Sequence, residues 1–66
     1  MTKEKQITIL EEFYQSCLRF WERENVENPK MNALEDVYRI TTNPFQPYNA
    51  EPLDEGIKHH FILSKL

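Results

Sequence analysis

From Ile7 onward the apolar residues recur at the spacing of a helix. Ile7, Ile9, Leu10, Phe13, Tyr14, Cys17, Leu18, Phe20 and Trp21 share one side if each residue turns about 100°. Glu11, Glu12, Gln15, Ser16, Arg19, Glu22 and Arg23 share the other. The apolar side takes about half of the cylinder, wider than the seam of a two-stranded coiled coil. No Gly or Pro interrupts the stretch, and Glu, Gln, Leu and Arg favour a helix. The pattern predicts a first helix over about 3–25. Thr2 is its candidate N-cap, and Asn25, Asn28 and Pro29 end it.

A second, shorter helix is predicted over about 30–41. Asn28-Pro29 offers an N-cap followed by Pro at the first helical position. Asn32 offers a second start, with Glu35 three residues on. Met31, Leu34, Val37, Tyr38 and Thr41 recur at helical spacing, and Glu35 and Arg39 form an i,i+4 pair. Ile40-Thr41-Thr42 and Asn43-Pro44 stop it. A short connection between the two helices predicts an αα-hairpin. In that hairpin Met31, Leu34, Val37 and Tyr38 cover part of the first helix's apolar face.

Residues 42–52 read as a loop. Pro44, Pro47 and Pro52 remove backbone donors and favour extended geometry. Phe45 and Tyr48 interrupt the prolines, and large aromatics favour burial. They are expected to fold back as a lid on the hairpin core. The alternative is an exposed recognition loop built on the same two residues. In the tail, 53–66, Leu53, Ile57, Phe61 and Ser64 fit a helix, with Glu51-Pro52 or Asp54-Glu55 in its first turn. Gly56 weakens that helix, and His59 to Leu63 could form a strand. The fold class is therefore all-α: a small helical hairpin, a Pro-rich loop and a short C-terminal helix in one domain. The alternative is an α+β fold with a strand near residues 57–63.

Size changes how that apolar face is read. A chain of 66 residues buries only about 60% of its unfolded surface, so its core alone gives marginal stability. Cys17 is its single cysteine, which rules out an internal disulfide. Oligomerisation or docking on a partner is the remaining way to add stability. The aromatic content and a net charge of −3 are not those of a disordered chain. One cysteine fits a reducing compartment, and the mixed-charge N-terminus leads into no signal-peptide core. No run approaches the ~20 apolar residues of a membrane span. A cytoplasmic location is expected.

The candidate chemistry is sparse. Cys17 with His59 or His60 could suggest a thiol and its base, but Cys17 lies mid-face, where it reads as a small buried hydrophobe with a raised pKa. His59 and His60 are adjacent, so their side chains diverge and cannot easily share one metal ion. One is expected exposed and the other packed. Glu11-Glu12 and Asp54-Glu55 are neighbours that diverge on a helix and form no catalytic dyad. An isoelectric point near 5.3 argues against direct nucleic-acid binding. Gly56 is the only glycine, so there is no phosphate loop. Asn43-Pro44-Phe45 matches a tripeptide bound by some endocytic adaptor modules, but so short a match recurs by chance, and Asn-Pro is read here as an ordinary turn initiator.

These observations predict no catalytic residue, metal, cofactor or small-molecule substrate. They point to a protein–protein interaction module acting as regulator, inhibitor or adaptor. Leu10, Phe13, Tyr14, Cys17, Leu18 and Trp21 would form its interface, as a homodimer or with another protein. The alternatives are an accessory subunit that folds with its partner and, more remotely, a nucleic-acid-associated regulator.

Overall fold

The computed structural model describes residues 2–46, 48 and 50–66. The extended geometry expected at Pro47 lies outside the described residues. The chain forms three helices: α1 (Lys3–Arg23), α2 (Pro29–Arg39) and α3 (Glu55–Lys65). The all-α reading holds. The alternative strand near 57–63 does not form, because α3 occupies that stretch.

Local chemistry sets each boundary. Thr2 caps α1 by accepting from the Lys5 N–H at 3.1 Å. Asn25, at φ 59°, turns the chain out of α1 in the left-handed region that Asn tolerates better than most residues. Asn28 caps α2 by accepting from the Met31 N–H at 3.2 Å, with Pro29 beginning the helix. The second possible start, at Asn32, is passed over. Asp54 rescues α3 from its weak Gly56 by accepting from the Ile57 N–H at 3.0 Å.

The core gathers Ile9, Leu10 and Tyr14 of α1, Ala33, Leu34 and Val37 of α2, and Leu53 and Phe61 of the tail. Tyr14 meets Phe61 edge to face at 6.0 Å. The contact stripe of α2 differs from the expected one. Ala33, Leu34 and Val37 face α1, while Met31 (41% exposed) and Tyr38 (69% exposed) stay in solvent. Ala33 is fully buried on this inward stripe. At about 100° per residue, this turns Met31 and Tyr38 away from the shared core.

The loop also departs from expectation. Thr42 and Pro52 form an isolated antiparallel bridge. Around it the Asn43 N–H donates to Glu51 O and the Leu53 N–H to Thr41 O, both at 3.0 Å. This pinch brings Leu53 into the core, while Phe45 and Tyr48 point outward. Phe45 is half exposed and Tyr48 is 97% exposed, so neither is the lid. Leu53 and Phe61 supply the cover instead.

Polar contacts hold α3 against the hairpin. Gln6, buried on α1, accepts from the Asp54 N–H at 2.8 Å. Lys65 Nζ donates to Glu11 Oε1 at 3.0 Å and lies over the Tyr14 and Phe61 rings at 5.4 and 5.3 Å. Glu11 Oε2 is buried without a hydrogen-bond partner. Lys58 is 4% exposed. Its Nζ donates to Tyr38 O at 2.9 Å and Ile40 O at 2.8 Å, and pairs with Glu55 Oε2 at 2.8 Å. The ammonium thus caps the C-terminal end of α2, where a helix's unpaired carbonyls gather.

Candidate interaction surface

The apolar face of α1 is divided between core and surface. Leu10 (0% exposed) and Tyr14 (5%) are closed inside the molecule by α2 and α3. Phe13, Cys17, Leu18 and Trp21 are half-buried and pack against the same core. Phe20, in contrast, is 46% exposed, with its ring edge to face against Trp21 at 4.9 Å. The six residues expected to form one interface therefore include two that no partner reaches while the fold is intact.

Trp21 is held by a charge-assisted bond in which its Nε1–H donates to Asp36 Oδ2 at 2.8 Å. Asp36 also faces Cys17. Burial first, then the Asp36 charge and a hydrogen bond to it, push the Cys17 thiol up to about 11. The reading of Cys17 as an inert thiol has a physical cause here. The folded chain keeps the thiol proton between pH 9.0 and about 11, whereas the unfolded chain releases it near 9.0. This group's contribution to stability therefore falls as pH rises through that window. At pH 8.5, alkylation by iodoacetamide should run on the order of 100-fold slower than for a free cysteine peptide. Asp36→Asn should speed it by removing the Asp36 charge, the second cause. A wild-type rate equal to that of the peptide would contradict this account of Cys17.

A second open apolar surface lies where the outward side of α2 meets the end of α3. Met31, Leu34 and Tyr38 line one wall and Ile62 and Leu66 the other, around a groove of about 450 Å³. Leu34 is buried and Ile62 half-buried, while Tyr38 and Leu66 are each 69% exposed. Glu35 and Arg39 stand at the same groove, paired loosely at 3.8 Å, with side chains 64% and 74% exposed. The groove follows from the turn of α2 described above. Met31 and Tyr38, freed from α1, flank the space that α3 leaves open.

The remaining candidates fall apart in space or are used structurally. His59 and His60 are both exposed, which corrects the expectation that one would pack. Their sites on α3 lie on the side away from Lys58 and Phe61, the residues that meet the hairpin. Among the described residues, no three His, Cys, Asp or Glu side chains gather where they could hold a metal ion. No described helix is long and apolar enough to cross a membrane. Asn43-Pro44-Phe45 forms a turn in which Asn43 Oδ1 accepts from the Phe45 N–H at 2.9 Å. Asn43 is 3% exposed, so the tripeptide cannot present all three side chains to a binding module from this fold.

Sequence reasoning gave Gln6 and Lys58 no structural role. Both carried a spacing signal. Gln6 lies three and four residues before Ile9 and Leu10, and Lys58 lies three before Phe61, so each shares a buried stripe. Compared with protein-family models, curated proteins and solved structures, the chain matches none.

Proposed function

We propose that this protein acts by binding protein, through the groove between α2 and α3, as a small regulator, inhibitor or adaptor. The carrying observation is that Met31, Tyr38, Ile62 and Leu66 form a concave apolar surface outside the closed core. Apolar side chains left in water at the rim of a recess gain stability when a partner covers them. Tyr is also among the residue types that anchor protein interfaces. This reading moves the interface from the α1 face to the outer side of α2 and the end of α3. The protein's effect comes from occupancy of a partner's surface, not from turnover of a substrate. Its single Cys17, with a thiol held protonated, suits a reducing compartment such as the cytoplasm.

The test uses an environment-sensitive apolar dye and dilute folded protein. Wild type should bind the dye at one site. Met31→Lys and Leu66→Lys should each lower that binding at least about tenfold while the melting temperature stays near wild type, because both side chains are largely exposed. Equal dye binding by wild type and both variants would overturn the assignment of this groove.

A further inference from the structure

The rim of the groove carries one acid and one base on the same helix, one turn apart. Glu35 and Arg39 are both exposed, and their mutual contact at 3.8 Å is loose. Beside them, side chains that project (Tyr38 and Leu66) adjoin a recess lined by Leu34 and Ile62. A two-fold interface uses the same patch on both subunits and must therefore complement itself. This patch has what that requires: opposite charges, and knobs beside a hollow. We infer that the occupant of the groove is a second copy of this chain, docked about a two-fold axis. The inference rests on reading the groove as a docking surface.

In that arrangement the two α2 helices run antiparallel across the axis. Arg39 of each copy meets Glu35 of the other, and Tyr38 of each copy enters the other's recess. A foreign partner would have to supply a matching pair of charges, whereas a second copy brings them by symmetry. Long-range charge alone opposes association, since each chain carries −3. The balanced rim is a place where that repulsion is offset locally. Size points the same way. A 66-residue chain with one cysteine lacks the internal disulfide that other small folds use, and association covers its open apolar recess.

The test is solution mass by light scattering across a wide concentration range, with charge exchange at the rim. Wild type should rise from 8.0 kDa toward twice that value with concentration. Glu35→Arg and Arg39→Glu should each weaken the dimer at least about tenfold, because each sets like charges across the axis. Mixing the two single variants should restore a dimer, since one then supplies two bases and the other two acids. The double exchange, with both substitutions in one chain, should also restore it. Both side chains are exposed, so thermal melts should confirm that every variant folds.

A mass of 8.0 kDa throughout, with dye binding still lost in Met31→Lys, would overturn the second copy and leave the groove as a docking surface. A mass of 8.0 kDa with dye binding unchanged in Met31→Lys would remove both. A dimer that neither single exchange weakens would show that copies meet through another face, and would overturn the inference.

Discussion

Leu10→Ala should unfold a large part of the protein at 25 °C. Leu10 is fully buried and sits where α1 meets the shared core. Truncating a buried Leu costs about 2–5 kcal/mol, the upper end applying where the surroundings cannot collapse into the space. Here the core draws on three separate elements, so little relaxation is available. A core of this size rarely supplies more than about 3–5 kcal/mol in total. The loss is therefore comparable to the whole stability. Urea unfolding followed by Trp21 fluorescence should show the midpoint falling to near zero denaturant. Phe45→Ala is the contrast, since the outward loop places its side chain half in water, and it should shift stability by less than about 0.5 kcal/mol. A Leu10→Ala midpoint within error of wild type would contradict the core as described.

The second large effect is expected at Lys58, a residue whose charge reads as superficial in the sequence. Its ammonium is nearly inaccessible and has three acceptors: two backbone carbonyls at the end of α2 and the Glu55 carboxylate. Replacing buried ionic groups with apolar ones of similar shape is often neutral, because desolvation of the charges is removed along with their attraction. That compensation fails here for two of the three acceptors. The Tyr38 and Ile40 carbonyls belong to the backbone and remain when the ammonium is gone. Lys58→Met keeps the aliphatic stem and leaves those carbonyls without this donor, at a cost of about 2–3 kcal/mol. For a chain of this size, that lowers the melting temperature by roughly 10 °C or more. Glu55→Gln should cost far less, because the Glu55 side chain is 69% exposed and water screens its pairing. Thermal melts of the two variants by far-ultraviolet circular dichroism separate these roles. A Lys58→Met melt matching wild type would mean that the ammonium does not hold α3 to α2.

The helices were legible because their signals are local. Apolar spacing, Thr2, Asn28-Pro29 and Asp54 act within a few residues, and the observed ends of α1 and α2 lie within two residues of those expected. The destination of each face was harder to read, because it depends on distant residues. Nothing near α2 in the sequence says that Ala33 rather than Tyr38 will face α1. That choice depends on which side chains the rest of the fold closes over: Ala33 is fully buried, while Tyr38 is 69% exposed. The loop is a similar case. Burial energy alone argues for tucking Phe45 and Tyr48 under the hairpin. The bridge between Thr42 and Pro52 instead spends the inward direction on Leu53 and turns the aromatics out. The interface first read on α1 followed the widest apolar stripe. It did not allow for α3, whose Phe61 covers Tyr14 and whose Lys65 reaches Glu11. The groove became visible only once three helices were in place.

The central claim is that Leu10 and Tyr14 of the α1 face close inward and that an open apolar docking surface lies between α2 and α3. The most direct measurement is a two-dimensional nuclear magnetic resonance map of side-chain and amide shifts during titration with a small apolar probe. The account predicts changes concentrated at Met31, Leu34, Tyr38, Ile62 and Leu66. Changes concentrated at Leu10, Phe13, Tyr14, Cys17 and Leu18, with the groove residues unmoved, would contradict it.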